Sequence, residues 1–425
     1  MNSLDPNPIL QAFWTGDSSS LRRGHQALPE ALDLIGRPLF MVSVDDGPAI
    51  AHTGSIIWGK TRGQQTGGLP LLGFASPLSP WQLGDSSFKK ELGLKYPYVV
   101  GAMANGITSV EMVAAAGRAG MVGFFGAGGL SLEQIGAAVD RMQSFPEQFP
   151  YGFNLIHSPN DMQLEAETVA LYLQKGVHLV SASAFLGLTL PLIHYRVKGI
   201  HQAQDGAIVC PNHVVAKVSR MEVAKKFFAP PPENLLVKLV QQGKISDKEA
   251  QLAQYIPVAQ DISAEADSGG HTDNRPALAL LPTILAIRDE AMEKYGFSMP
   301  LRVGLGGGIA TPEAVCAAFS MGAAYVLTGS INQAAVEADT SQAVKQMLVE
   351  AQQADVTMAP SADMFELGAK VQVLKRGTMF AMRAAKLYEL YRAFESYDTI
   401  PATARAAIER DMLHSSFEAT WQSTR

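Results

Sequence analysis

Eight short apolar segments, each followed by a helical pattern, recur along the chain between residues 98 and 327. Apolar runs without polar alternation are typical of strands that are covered on both faces in a parallel sheet. Gly120, Gly176 and Gly322 each follow a predicted helix, where a left-handed cap ends the helix before the next strand. Eight strand–helix units in about 240 residues predict an α/β fold, a TIM (β/α)8 barrel, and a doubly wound open sheet is the alternative. The predicted strands are residues 98–103, 121–125, 151–156, 178–182, 212–218, 261–267, 301–304 and 324–327.

Three predicted helices begin with a hydroxyl residue that is followed three positions later by Glu or Gln. In such a capping box the two side chains bond the free N–H groups of the first helical turn. The pairs are Thr108 with Glu111, Ser131 with Gln134, and Ser246 with Glu249.

The chain outside the barrel strands divides into three further segments. Residues 1–85 are rich in Gly, Pro and Ser and predict an N-terminal cap before a barrel domain at 86–345. A helical insertion at 221–257 follows strand five, and it is either a lid over the barrel mouth or a hairpin without function. Residues 346–425 predict a C-terminal helical tail with a helix over 364–394. The basic residues of that helix either dock an acidic partner or face solvent.

Composition excludes several classes of protein. A net charge of −6 without an arginine-rich stripe disfavours nucleic acid as a partner. No apolar run reaches about 18 residues, and the first residues lack a secretory pattern, so no membrane insertion is expected. Two cysteines, Cys210 and Cys316, disfavour a disulfide framework and suit a cytoplasmic location.

A glycine-rich loop after strand seven is the strongest local signal. Gly306, Gly307 and Gly308 are followed by Thr311 and Pro312, which are typical of the first positions of a helix. Glycines let backbone N–H groups approach a phosphate, and a helix N-terminus favours its charge. A shorter loop after strand eight, Gly329-Ser330, also combines a glycine with a hydroxyl residue. Together they predict a phosphate site, and a plain tight turn is the alternative.

His271 stands at the mouth of strand six, directly behind Gly269 and Gly270. The two glycines would let a planar ligand approach the imidazole, so we expect a functional histidine rather than a structural one. No second His or Cys stands at ligand spacing, so no metal site is predicted. Asp273 and Asn274 follow as further candidates for a proton donor.

Polar residues interrupt the otherwise apolar strands at Asn154, Ser181, Ser183 and Lys217. A lysine near the top of a barrel strand needs a partner. That partner is either an electron-rich ring that gains negative charge or a carboxylate inside the barrel. A phosphate together with such a ring describes FMN.

Several motifs are similar to those of known FMN barrels. The run 101–106, the strand around Asn154, the turn 268–271 and the loop 306–308 resemble the nitronate monooxygenase-like family, which includes FabK-type enoyl reductases. The segments 265–276, 212–220 and 364–379 resemble the PfaD-type enoyl reductases that act in trans in polyunsaturated fatty acid and polyketide synthases.

The resemblance implies an enzyme that reduces 2-enoyl thioesters on acyl carrier protein with NADPH and FMN. His271 and Lys217 would be catalytic: the histidine as acid or carbonyl partner, the lysine as a cation beside the reduced flavin. A nitronate monooxygenase and a flavin-less scaffold component of a synthase are the alternatives, and a homodimer is a candidate assembly. Ser181 and Ser183 depart from FabK-type proteins, which carry a carboxylate on strand four. The residues that would hold FMN are Ala102, Met103, Asn154, Lys217, Gly269, Gly270, Gly306, Gly307, Gly308, Gly329 and Ser330.

Overall fold

A computed structural model describes residues 11–59, 68–159, 161–270, 272–362, 364–366 and 368–424. The chain divides after Leu83 into two compact units. The elements of the first unit are β1 (Gln11–Thr15), β2 (Arg22–Arg23), α1 (Ala27–Leu32), β3 (Leu39–Val44), β4 (Gly47–Ala51), β5 (Ser55–Gly59) and β6 (Leu69–Ala75). Its six strands form one antiparallel sheet in the order β2-β4-β3-β6-β1-β5. Trp14 and Phe40 lie in its core, where the Trp14 indole donates a hydrogen bond to the carbonyl of Thr53.

The second unit is built around a closed barrel of eight parallel strands. The barrel strands are β7 (Tyr98–Val100), β8 (Val122–Phe125), β9 (Tyr151–Ile156), β10 (Leu179–Ser183), β13 (His213–Val218), β14 (Asp261–Glu265), β15 (Arg302–Gly306) and β16 (Val326–Thr328), and a small hairpin of β11 (His201–Gln202) and β12 (Ile208–Val209) precedes β13. The barrel strands are hydrogen-bonded in chain order, and β16 closes the barrel on β7. The predicted (β/α)8 barrel is therefore confirmed, and the open-sheet alternative is excluded.

Helices cover the outside of the barrel, and two apolar layers hold it together. The helices up to β16 are α2 (Ser86–Leu92), α3 (Val110–Arg118), α4 (Leu132–Gln143), α5 (Met162–Gln174), α6 (Leu190–Val197), α7 (Met221–Phe227), α8 (Glu233–Gln241), α9 (Asp247–Leu252), α10 (Ala277–Tyr295) and α11 (Pro312–Ser320). Inside the barrel, Val99, Phe124, Val215 and Tyr325 pack against one another, and Phe88 of α2 stacks on Tyr325 with ring centroids 4.3 Å apart. A larger apolar layer lies between the strands and the helices.

A buried ionic network closes the N-terminal end of the barrel. The Arg302 guanidinium donates to both carboxylate oxygens of Asp261, at 2.7 and 3.0 Å, and also contacts Glu91 at 2.7 Å. Burial raises the pKa of Asp261 to about 6, against the opposing effect of Arg302. Because barrel enzymes bind substrates at the opposite, C-terminal end, this network belongs to the stability of the barrel.

The insertion predicted after strand five is present as α7, α8 and α9. Phe227, Phe228, Leu236 and Leu239 from this segment are buried in the layer between strands and helices. The insertion is therefore part of the packed core of the second unit.

The tail carries the predicted helices, with one difference. Its elements are α12 (Gln342–Glu350), β17 (Val356–Pro360), β18 (Lys370–Leu374), α13 (Phe380–Ala393), α14 (Ala402–Ile408) and α15 (Phe417–Thr424). The helix expected over 364–394 begins only at Phe380, because residues 356–374 contain an antiparallel pair of strands. Alternating Val371 and Val373 favour a strand, and Gly377, with a φ of +73°, separates it from the helix. Among the helices of the described residues, none is both long and apolar enough to cross a bilayer.

Candidate active site

The loop after β15 has the geometry of a phosphate cradle. Gly307 and Gly308 adopt φ values of +91° and +72°, which glycine reaches without strain. Thr311 caps α11, because its hydroxyl accepts a hydrogen bond from the N–H of Ala314 at 3.3 Å, and Pro312 occupies the first helical position, as predicted. A Cβ placed on Gly308 would meet nothing of the described chain within 4 Å. The loop therefore presents open space beside a helix N-terminus.

The loops after β14 and β16 meet at the same end of the barrel. A Cβ on Gly269 would lie 2.8 Å from the hydroxyl oxygen of Ser330, so the two loops approach each other closely here. A Cβ on Gly329 would lie 3.9 Å from Cγ of Met103, in the segment after β7. The structure thus brings together four of the predicted binding residues, Gly269, Ser330, Gly329 and Met103.

The segment after β7 is held by Thr108, which sequence analysis had assigned to a helix cap. Its hydroxyl donates to the carbonyl of Gly101 at 2.8 Å and accepts from the N–H of Met103 at 2.9 Å. The helix α3 is instead capped by Ser109. The backbone of Ala102 and Met103 is therefore fixed from within the chain.

Asn154 lies on β9 and is almost completely buried. Its amide donates hydrogen bonds of 3.0 Å to the carbonyl of Ser181 and to the hydroxyl of Ser183, both on the neighbouring β10. The hydroxyl of Ser181 is buried and has no hydrogen-bond partner among the described residues. A buried hydroxyl without a partner is costly, so this atom indicates a missing polar ligand or water.

Lys217 forms an ion pair that the sequence had left open. Its ammonium nitrogen lies 2.8 Å from a carboxylate oxygen of Glu265, and the two side chains are only 15% and 11% exposed. Glu265 is the last residue of β14, beside β13 in the barrel. Glu265 was not among the predicted site residues, although the alternation of Asp261, Ser263 and Glu265 along one strand indicates a shared polar face.

His271 lies outside the described residues, but the residues around it show how its loop is held. The Asp273 carboxylate accepts hydrogen bonds of 2.9 Å from Nε and Nη2 of Arg220 and one of 2.7 Å from the hydroxyl of Ser219. The Arg220 hydrogen bonds hold the pKa of Asp273 below its ordinary value. Asp273 is therefore ionised at neutral pH and is unsuited to the role of a fallback proton donor.

A second anchor fixes the same loop from the C-terminal tail. The side-chain amide of Asn274 donates to Asp267 at 2.7 Å, and Asn274 itself adopts a φ of +53°. The side-chain amide of Gln372, on β18, donates to the same Asp267 oxygen at 3.2 Å. The tail thus contributes Gln372 to the rim of the candidate site, a residue within the segment 364–379 for which no role had been predicted.

These residues fit a flavin nucleotide. The open space at Gly308 suits a phosphate. The Ser181 hydroxyl, in the middle of β10, and the Lys217 ammonium, near the C-terminal end of β13, are polar groups that a ligand could use. No group of three or more His, Cys, Asp or Glu residues in the described part of the chain could hold a metal ion.

A family model described as nitronate monooxygenase matches residues 86–391, which include the whole barrel. The chain belongs to the nitronate monooxygenase family. The predicted resemblance is thereby confirmed at the level of the family.

Within this nitronate monooxygenase family, the chain is similar to proteins of two kinds of synthase system. It is 45% identical over 351 residues to a protein of the polyunsaturated fatty acid synthase of Thraustochytrium sp., covering 82% of this chain and 23% of that protein. It is 47% identical over 337 residues to the polyketide biosynthesis protein PksE from Bacillus subtilis, covering 79% of this chain and 44% of that protein. The chain therefore spans less than half the length of these relatives.

A solved structure also resembles the chain closely. The enoyl reductase domain of MlnA, from the macrolactin biosynthesis cluster of Bacillus amyloliquefaciens, superposes with a TM-score of 0.77 at 39% identity. The match covers 81% of this chain and 78% of that domain.

Proposed function

We propose that this chain is an FMN-dependent enoyl reductase that acts in trans on 2-enoyl thioesters carried by acyl carrier protein. The similarity to the MlnA enoyl reductase domain carries the proposal, since it extends over four-fifths of the chain at 39% identity. The relatives that belong to polyunsaturated fatty acid and polyketide synthase systems support the same class of substrate. Either kind of product is compatible with these relatives.

The bound FMN would supply hydride transfer from NADPH to the β-carbon of the enoyl thioester. Gly306, Gly307 and Gly308 would hold its phosphate together with the Gly329-Ser330 loop. The remaining residues proposed to contact FMN are Ala102, Met103, Asn154, Lys217, Gly269 and Gly270. Ser181 would complete its unused hydrogen bond in place of the carboxylate that FabK-type proteins carry on this strand.

Two side chains carry the proposed chemistry of the chain itself. Lys217 would hold a positive charge beside the bound ring, and a fixed charge of this kind would stabilise the negative charge of the reduced form. His271 would donate a hydrogen bond to the thioester carbonyl or a proton to the α-carbon. Asp267 and Asp273, which flank this histidine in the chain, are held by Gln372 and by Arg220.

The proposed partners are acyl carrier protein domains of a synthase, and the proposed location is the cytoplasm. The chain is 45–47% identical to proteins named for synthase systems, which supports a synthase as the partner. A homodimer is the proposed assembly.

A nitronate monooxygenase is the second candidate, because the family model that matches the chain is described by that activity. Both reactions use the same barrel, so fold does not separate them. Substrate does: one reaction reduces an activated double bond without oxygen, and the other oxidises a small nitroalkane with oxygen.

The deciding experiment compares the two substrates on one preparation. Oxidation of NADPH is followed anaerobically with a crotonyl thioester on acyl carrier protein. In a separate assay without NADPH, the consumption of oxygen is followed with a nitroalkane in place of the thioester. Turnover with the thioester and formation of the saturated product are expected. Turnover only with the nitroalkane would overturn the proposal, and a purified protein that neither contains nor binds FMN would favour a scaffold role.

A further inference from the structure

The ion pair between Lys217 and Glu265 places two opposite charges at the end of the barrel where the ligand loops lie. Four strand residues other than histidine carry a charge in the barrel: Lys217, Asp261, Glu265 and Arg302. Asp261 and Arg302 begin their strands and are paired with each other at the opposite end. Lys217 and Glu265 are therefore the charged strand residues on the ligand side.

The other charges near this end are paired or exposed, and the buried Glu165 of α5 lies 2.9 Å from Nδ1 of His157. Arg220 and Asp273 form a pair of their own at 2.9 Å. Asp267 is exposed and is hydrogen-bonded by Asn274 and Gln372. The side chains of Asn154, Ser181 and Ser183 are uncharged. The net charge next to a bound ring would thus depend mainly on the balance between Lys217 and Glu265.

We propose that Glu265 sets the reduction potential of the bound flavin by offsetting the positive charge of Lys217. This inference rests on the proposed function, because it requires that the chain binds FMN. The lysine attracts the negative charge that the ring gains on reduction, and the glutamate, 2.8 Å from the lysine, repels it. Both side chains are mostly buried, so water screens these interactions less than it would on the surface.

A purely structural role for Glu265 makes a different prediction. Glu265 also lies under the double-glycine turn, since a Cβ on Gly270 would be 3.6 Å from one of its carboxylate oxygens. A residue that only shapes this turn changes the affinity for oxidised and reduced FMN equally, and equal changes leave the potential where it was. A charge acts on the reduced form more strongly and moves the potential. The ratio of the two affinities therefore separates the roles.

The experiment measures the FMN midpoint potential and the dissociation constants of oxidised and reduced FMN in four variants. Glu265→Gln keeps the size and an oxygen that can accept from Lys217, so the fold is retained while one negative charge is lost. Its potential should rise, with reduced FMN bound more tightly relative to oxidised FMN. Lys217→Met should lower the potential, and the double variant should return towards the unaltered protein. The control is Asp140→Asn, which removes the same charge from the pair between Asp140 of α4 and Lys175 at the end of α5.

An unchanged potential in Glu265→Gln, with FMN bound, would overturn the inference and leave the proposed function intact. An equal rise in Asp140→Asn would also overturn it, since the effect would then come from overall charge. Failure of the unaltered protein to bind FMN would overturn both the inference and the proposed flavin chemistry.

Discussion

Two adjacent glycines in the phosphate loop are required for different physical reasons. A Cβ on Gly307 would lie 2.7 Å from the carbonyl oxygens of Ala266 and Asp267, so a side chain there would push away the loop after β14. At Gly308 the same atom would point into space that no described residue fills. Gly307 is therefore a packing glycine, and Gly308 is the one that faces the proposed phosphate.

Gly308→Val should lose FMN while the barrel remains folded. The valine would occupy the phosphate space, at a cost of about 1–2 kcal/mol for its left-handed backbone. We expect bound FMN to fall at least tenfold by absorbance, with a circular dichroism spectrum like that of the unaltered protein. Gly307→Val is the comparison, and it should lower the melting temperature as well as the FMN content. Full flavin content in Gly308→Val would contradict the phosphate assignment.

His271→Ala should separate the two halves of the catalytic cycle. Hydride transfer from NADPH to the flavin needs no proton donor at this position, so the first half should be unaffected. The second half should slow by about 10²- to 10⁴-fold, which is the usual contribution of a positioned acid or base. Stopped-flow absorbance of the flavin follows each half on its own. Equal slowing of both halves would mean that His271 only shapes the flavin pocket.

At the scale of elements, the loop after β14 of the barrel is hydrogen-bonded by residues from two other parts of the second unit. We call this set of contacts the joint. Arg220, at the N-terminal cap of α7 where the insertion begins, holds it from one side, and Gln372 of β18 holds it from the tail. The loop has no regular structure of its own over the described residues between 266 and 276, so these contacts determine where its side chains point. The insertion and the tail thus contribute to the site without lining the barrel.

Asp273→Asn should weaken this joint and slow the second half-reaction. The pKa of Asp273 is lowered in the fold by hydrogen bonds from Arg220, so its stabilising effect is present above its ordinary pKa and is lost as the pH falls below about 4. At neutral pH the variant removes that effect entirely. We expect several-fold slower reduction of the enoyl thioester with unchanged affinity for oxidised FMN. The matched control is Asp46→Asn, which breaks the pair with Arg23 in the N-terminal unit. A normal rate in Asp273→Asn would show that the joint does not position the loop.

At the scale of the whole molecule, two histidines of the second unit link its stability to pH. Burial lowers the pKa of His213 to about 4, with a further contribution from Arg196. Burial also lowers the pKa of His194 to about 4, helped by Lys244 and Lys198. Both histidines are neutral in the folded protein and take up protons when it unfolds. The folded protein has the full benefit of these neutral histidines above about pH 6.5. It loses stability as the pH falls from there towards 4, because the unfolded chain binds the protons more readily.

The melting temperature should therefore fall when the pH is lowered from 7 to 5. Asp261 has the opposite effect on stability, because its raised pKa favours the folded protein at low pH. Between pH 7 and 5, the stability lost through the two histidines exceeds the stability gained through this one carboxyl group. His194→Gln should make the dependence on pH shallower, because it removes one of the two histidines with a lowered pKa. Differential scanning calorimetry at several pH values provides the measurement. A melting temperature that stays constant from pH 7 to 5 would contradict this account.

Local patterns along the chain were enough to predict the barrel and its loops. Apolar runs between glycine-capped helices identified all eight strands to within a few residues. This worked because a strand that is covered on both faces consists almost entirely of apolar residues. The Ser131 and Ser246 capping boxes formed as predicted, since they depend on neighbours within one helical turn. The Thr311 cap after the triple glycine formed for the same reason.

Contacts between distant parts of the chain could not be predicted in this way. Thr108 was expected to cap α3, but Ser109 caps it, because Thr108 instead bonds the backbone of Gly101 and Met103. The residues that the site gained, Glu265 beside Lys217 and Gln372 beside Asp267, are separated from their partners by 48 and 105 positions. The sequence by itself determined the strands, the helix caps and the glycine loops, whose energetics are local. The tertiary structure decided that Lys217 pairs with Glu265 and that Gln372 bonds Asp267. These partners become neighbours only when the barrel closes and the tail packs against it.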